Sequence, residues 1–308
     1  SCPALTATMR SLTLLACLFL ACFASAALAQ PTPVVIWHGM GDSCCNPFSM
    51  GRIVDLIQQN INGVYVRSLE IGSDWIQDIW NSWFMNVNDQ VAYVCKVLKS
   101  DPALRGGFHA VGFSQGGQFL RAYVERCNDP PVRNLITLGG QHQGVFGLPN
   151  CPGPNVTLCE AARELLDYGA YIPWIQSFQV QAEYWHDPLN EALYLAGNIF
   201  LPDINNALPN KNATYRRNVM GLKNFVMVKF LQDMVVQPRD SEWFEFYEPG
   251  QDVVIQPLRS SKLYTEDWLG LKVLDQTGRL HFLSTPGNHL QFSDKWFVST
   301  IIQGWLKN

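Results

Sequence analysis

The run Gly112-Phe113-Ser114-Gln115-Gly116-Gly117 constrains this chain more than any other stretch. Apolar residues lead into it, and Phe119, Leu120, Tyr123, Val124 and Cys127 follow on one face of a helical pattern. A Gly-x-Ser-x-Gly run between a strand and a helix predicts a nucleophile elbow, in which the backbone turns sharply at the serine. Small residues are needed on either side because the strained turn leaves no room for a Cβ. The serine oxygen then faces out of the sheet. The helix N-terminus behind it offers N–H groups and partial positive charge where an oxyanion would form. Glycine and serine are common in loops, so an ordinary tight turn is the competing reading of the run taken alone.

With 308 residues, 47% of them hydrophobic, the chain can bury one large α/β core or two small ones. Its 22 Lys+Arg against 26 Asp+Glu give a net charge of −4, which argues against a nucleic-acid binder. The absence of a basic run argues against docking on anionic membranes. Arg10, the apolar run Leu12 to Phe23 and the small-residue site Ala27-Leu28-Ala29 predict a cleaved signal peptide over residues 1–29. The run is short for a bilayer span, so no stable membrane anchor is expected. Residues 30–308 are read as a single domain. In an oxidising compartment Cys44, Cys45, Cys95, Cys127, Cys151 and Cys159 form an even set, for which fifteen pairings exist. Asn155 and Asn212 stand in glycosylation sequons.

Strand and helix patterns alternate along this domain. Val34 to Trp37 reads as a strand buried on both faces, ending in a glycine-rich loop. Met50, Ile53, Val54 and Ile57 follow at helical spacing, and Val64 to Ile71 reads as a strand. Asn88 or Asp89 is expected to cap the helix carrying Val91, Val94, Cys95 and Leu98. Further strands are expected at Asn134 to Leu138, Phe225 to Leu231 and Arg279 to Leu283, with a last helix capped by Ser293. This rhythm predicts an α/β-hydrolase fold, a mostly parallel sheet flanked by helices. Residues 142–221 break it and are read as a largely helical insertion. Tyr171, Trp174, Phe178, Tyr184, Trp185 and Phe200 within it could line an apolar channel, although core packing is the commoner fate of aromatics.

A serine hydroxyl needs a base and an orienting acid, which in this fold follow in the order Ser, Asp or Glu, His. His289, in a Pro-Gly-Asn loop after a strand, is the expected base, and His281, inside the strand, is read as structural. Asp233, ending a buried strand, is the expected acid; Asp240 and Asp203 are read as a solvated loop charge and a helix cap. The oxyanion donors are expected to be the backbone N–H groups of Gln115 and Met40. His38, His109, His142 and His186 lack metal-ligand spacing, so no metal and no cofactor are expected.

Four stretches carry a resemblance to palmitoyl-protein thioesterases. They are Val35 to Pro47, Gly112 to Leu120, Gly139 to Gly147 and Gln181 to Pro188. The resemblance spans essentially all of residues 30–308. It implies a lysosomal α/β hydrolase that removes long-chain acyl groups from cysteine side chains, its substrates being S-palmitoylated proteins or peptides and long-chain acyl thioesters. It implies Ser114, Asp233 and His289 as the triad and Met40 and Gln115 as oxyanion donors. It also implies the pairings Cys44–Cys45, Cys95–Cys127 and Cys151–Cys159. The alternatives are a lipase acting on oxygen esters and an inactive, hydrolase-like binding protein.

Overall fold

The strands, in chain order, are β1 (Val34–Trp37), β2 (Val66–Ser68), β3 (Phe108–Phe113), β4 (Val132–Leu138), β5 (Asn224–Phe230), β6 (Phe246–Tyr247), β7 (Ile255–Gln256) and β8 (Leu280–Thr285). They are seen in a computed structural model that describes residues 30–147 and 169–307, and residues 157, 161 and 166 between them. Six form one sheet in the order β2-β1-β3-β4-β5-β8, every neighbouring pair parallel. β6 and β7 make a small antiparallel ribbon apart from it. The main helices are α1 (Met50–Asn60), α2 (Trp75–Phe84), α3 (Val87–Ser100) and α4 (Gln115–Arg126), with a C-terminal helix, Phe297–Leu306. This is the α/β-hydrolase architecture that the alternating pattern predicts.

Side chains alternate along a strand, so a sheet with apolar residues at every position must be covered on both sides. Val34, Ile36, Val111, Phe113, Ile136, Val226 and Val228 pack on Met50, Ile53 and Ile57 of α1 and on Phe297, Ile301 and Ile302. The intervening residues Val35, Trp37, Ala110, Leu135, Phe225 and Met227 pack with Val91, Val94 and Leu98 of α3 and Phe119 and Tyr123 of α4. Each large side chain so buried contributes roughly 1.5–3 kcal/mol.

Two boundaries differ from expectation. β2 has three paired residues rather than the span 64–71, because β1 is only four residues long and offers partners at Val34, Val35 and Ile36 alone. Helix α3 is capped by Asn86, whose side chain accepts from the Asn88 N–H at 2.9 Å, rather than by Asn88 or Asp89. Burial of Val87 draws the helix start forward to that residue.

Within the insertion the described residues form short helices, Pro173–Gln176, Val180–Glu183, Glu191–Gly197, Leu201–Ile204 and Ala213–Met220. Arg121 of α4 holds this region to the sheet. It is buried, pairs with Glu125 at 2.9 Å, and donates to Ile204 O at 2.8 Å, Asn205 Oδ1 at 2.9 Å and His142 O at 3.1 Å. Residues Thr32–Asn308 belong to one compact unit. Among the described residues no helix is long and apolar enough to cross a membrane.

Candidate active site

β2 and β3 lie on opposite sides of β1, so the connections leaving β1 and β3 diverge and open a crevice at the carboxyl ends of these strands. Trp37 pairs with Gly112, which brings the loop after β1 alongside Ser114. Ser114 sits between β3 and α4 with φ 53 and ψ −127, a left-handed backbone that a non-glycine residue adopts only under constraint. The glycines around it are dictated by space. A Cβ on Gly112 would lie 2.3 Å from Gly117 Cα, and one on Gly116 would lie 2.4 Å from Trp37 O.

β5 and β8 are parallel neighbours, so the loops after them emerge at the same end of the sheet. His289 Nε2 lies 2.9 Å from Ser114 Oγ, and His289 Nδ1 lies 2.5 Å from Asp233 Oδ2. With Asp233 accepting at Nδ1, Nε2 is left to accept from the serine hydroxyl. Asp233 Oδ1 accepts from the N–H groups of Val235 at 2.7 Å and Val236 at 2.9 Å. Burial alone would raise the Asp233 pKa; hydrogen bonds from His289 foremost, then Glu242 and Val236, overcome it and hold the carboxyl below its ordinary range. Asn288 Oδ1 accepts from both Met234 N at 2.9 Å and His289 N at 2.8 Å, tying the acid loop to the base loop. Gly139 leaves room for the imidazole, since a Cβ there would stand 2.9 Å from His289 Cε1.

The competing residues lie elsewhere. His281 is half-buried and bonds Asn224 Oδ1 at 2.9 Å. Asp240 is not a free loop charge, for it pairs with Lys229 at 2.9 Å. Asp203 is inside the helix Leu201–Ile204 rather than capping one, where it meets Arg126 at 2.7 Å.

Gln115 is the first residue of α4; its side chain donates to Ser82 O at 2.9 Å and accepts from the Tyr184 hydroxyl at 3.1 Å. Met40 packs against Trp83 of α2 and shares a cavity wall with Ser114. Its loop is held by a residue that the sequence reading missed, Asp78 of α2. The buried Asp78 carboxylate accepts from Ile71 N at 2.7 Å, Cys44 N at 2.8 Å and His38 Nε2 at 2.9 Å. His38 Nδ1 faces Gly39 O at 2.8 Å, so both ring nitrogens meet acceptors and the ring is doubly protonated. Burial opposes that charge, yet the hydrogen bond and attraction of Asp78 prevail and raise the His38 pKa. A lone acid in a helix otherwise dominated by Trp, Ile and Phe was the available signal.

Cys44 and Cys45 are joined in the same loop, and Cys95 on α3 is joined to Cys127 at the end of α4. The Cys44 and Cys45 sulfurs lie near a Glu70 carboxylate oxygen, but their bond to each other leaves no thiolate to ligate a metal. Cys151, Cys159, Asn155 and residues 1–29 lie outside the described residues. Asn212 is exposed and caps the helix Ala213–Met220.

A small cavity of about 30 Å³ opens beside Ser114, lined largely by Met40, Val145, Leu166, Tyr184, Val235 and Val236. Of the six aromatics considered for a channel, Tyr184 is on this wall. Phe200 is core, packed on Phe119, and Trp174 is half-exposed.

The fold is that of the α/β hydrolases, with a serine, an imidazole and a carboxylate in one hydrogen-bonded line at the sheet's carboxyl end. Residues 33–289 match the family described as palmitoyl protein thioesterase, and the chain belongs to that family. It is 50% identical to palmitoyl-protein thioesterase 1 of Caenorhabditis elegans, over 89% of this chain and 91% of that protein. It is 36% identical to palmitoyl-protein thioesterase 3 of Dictyostelium discoideum, over 88% of this chain and 90% of that protein. It is 28% identical to the human protein named lysosomal thioesterase PPT2, over 90% of this chain and 89% of that protein.

Proposed function

We propose that this protein is a thioester hydrolase that removes long-chain fatty acyl groups, palmitate foremost, from cysteines of lipidated proteins or peptides. The observation that carries the reading is the line Ser114 Oγ, His289, Asp233 beside an apolar cavity, in a chain of this family. Ser114 Oγ attacks the thioester carbonyl while His289 Nε2 takes its proton. Asp233 steadies the imidazolium that forms. The oxyanion is held by the backbone N–H groups of Gln115 and Met40. Collapse breaks the carbon–sulfur bond, and the departing thiol takes the proton from His289. Water, deprotonated by the same ring, then attacks the acyl-serine carbonyl and releases the fatty acid and free Ser114. A thiol leaves readily because its pKa is roughly 8.5. Each methylene of the acyl chain taken out of water against apolar surface adds about 0.8 kcal/mol, which favours long chains.

The same reading includes entry to the secretory pathway through residues 1–29, action in the lysosome, and a glycan on the exposed Asn212. The substrate class is tested by comparing turnover of a palmitoyl-cysteine peptide and a monoacylglycerol. The thioester is expected to be hydrolysed with the higher kcat/KM; a preference for the glycerol ester would make the protein a lipase instead.

A further inference from the structure

Building on the hydrolase reading above, we propose that Ser82 of α2 is a positioning residue. It ties both oxyanion donors, the backbone N–H groups of Met40 and Gln115, to one rigid point.

Ser82 is buried near the end of α2. Its hydroxyl donates to Ile79 O at 2.6 Å, within the helix, which leaves the oxygen to act as an acceptor. There it receives the Gly41 N–H at 2.8 Å. The preceding peptide group, which joins Gly39 to Met40, is held from its other end, where Gly39 O accepts from His38 Nδ1 at 2.8 Å. This peptide is trans, so its N–H, that of Met40, points opposite to its C=O and away from the His38 ring. His38 is in turn held by Asp78 at 2.9 Å, four residues before Ser82 and so on the same face of α2. The peptide groups on both sides of Met40 are thus pinned to one helix. The Ser82 carbonyl serves the second donor. Helix α2 ends at Phe84, so this carbonyl is among the last four, which no helical N–H reaches. It accepts from Gln115 Nε2 at 2.9 Å and from Gln181 Nε2 at 3.4 Å. The Tyr184 hydroxyl fixes the other end of the Gln115 carboxamide, donating to Oε1 at 3.1 Å. Gln115 opens α4, so its own N–H is one that the helix leaves without a carbonyl.

An oxyanion forms only as the thioester carbonyl is attacked, and both donors must reach it at once. Loosening either one raises the barrier and leaves the bound acyl chain as it was. The effect of Ser82 is therefore read in kcat, with KM nearly constant.

The experiment measures turnover of a palmitoyl-cysteine peptide by the full chain and by Ser82→Ala and Gln115→Met. Ser82→Ala removes the acceptor of the Gly41 N–H, and Gln115→Met removes the link to the Ser82 carbonyl. Inhibition by a long-chain alkyl trifluoromethyl ketone, and by the alcohol made by reducing it, is measured beside turnover. Ser114 Oγ adds to the ketone carbon, its proton passes to His289, and the carbonyl oxygen becomes an oxyanion; the alcohol forms no such bond. Each variant is expected to lower kcat about 10- to 100-fold with KM changed less than about threefold. The Ki of the ketone is expected to rise in step with the fall in kcat, and that of the alcohol to stay. Wild-type kcat in either variant would overturn the proposal. Ketone and alcohol weakened alike would overturn it as well, because Ser82 would then shape the acyl site and not the oxyanion hole. Should Ser82→Ala not fold, Gln115→Met decides by the same measurements. Labelling of Ser114 in the wild-type chain by a fluorophosphonate tests the triad separately. An unlabelled wild type would sink that reading, whereas a labelled one with undiminished kcat in the variants sinks this proposal alone.

Discussion

A carboxamide at position 233 would keep the shape of the side chain and lose the acceptor that fixes the imidazole tautomer. Asp233→Asn is therefore expected to lower kcat by roughly 10⁴, as in other serine triads, with the fold intact. Thioester turnover beside a thermal melt checks this. Gly139 makes a second test. Its φ of 65 and the 2.9 Å approach of His289 Cε1 to the site of a Cβ leave no room for a side chain. In Gly139→Ala the ring must move, and kcat should fall about 10- to 100-fold, the scale expected when a catalytic group is misplaced by about an ångström. Unchanged kcat would mean that the histidine loop tolerates displacement. Much of this scale is legible in sequence, since Ser114 and Asp233 each follow a recognisable buried strand and His289 follows the last strand of the sheet. Glu242 is not legible, because an acid between Ser241 and Trp243 in a polar turn gives no sign that folding will bury it beneath the Phe230 N–H.

At the scale of elements, the loop after β1 depends on helix α2. Asp78 of α2 binds Ile71, Cys44 and His38 at once, and so fixes the loop carrying Met40. Asp78→Ala would leave Ile71 N–H, Cys44 N–H and His38 Nε2 without their buried acceptor, at a cost of about 1–3 kcal/mol for each donor left unpaired. The variant should melt at a lower temperature, and turnover at a temperature where it remains folded should also fall. Wild-type turnover in a destabilised variant would show that the loop is held by other contacts. The sheet itself is readable because strands buried on both faces are continuous apolar runs, as in Val34–Trp37 and Phe225 to Phe230. The insertion is less so. Its helices are short, and its anchor, the Arg121–Glu125 pair with its carbonyl partners, joins residues far apart in sequence.

The molecule as a whole carries buried acids whose titration links stability to pH. Glu125 is pushed up to about 7, burial outweighing the attraction of Arg121. Glu183 and Glu242 are also raised well above the ordinary range, burial being the first cause in each. These folded-state protons are released by the unfolded chain above about pH 4.3, so the stability they confer is full below that pH and is lost as pH rises towards the folded values. His38, raised by Asp78 against its burial, likewise stabilises below about pH 6.5 and loses that contribution above its folded pKa. His142 and His281 act in the opposite sense: burial, joined for His142 by repulsion from Arg121, lowers both, so they cost stability as pH falls below about 6.5. The three carboxyls and His38 outweigh these two. Scanning calorimetry should find Tm at pH 8 below that at pH 5 by about 4 °C or more. A higher Tm at pH 8 would mean that these carboxyls are already ionised in the folded protein at pH 5.

The central claim is that the hydroxyl of Ser114 performs the chemistry. Its most direct test is the turnover of a palmitoyl-cysteine peptide by the wild-type chain and by Ser114→Ala, each verified as folded by its thermal melt. The account predicts a loss of about 10³-fold or more in kcat with little change in Tm. Activity of the alanine variant within about tenfold of wild type, a difference of only about 1.4 kcal/mol in barrier, would contradict it.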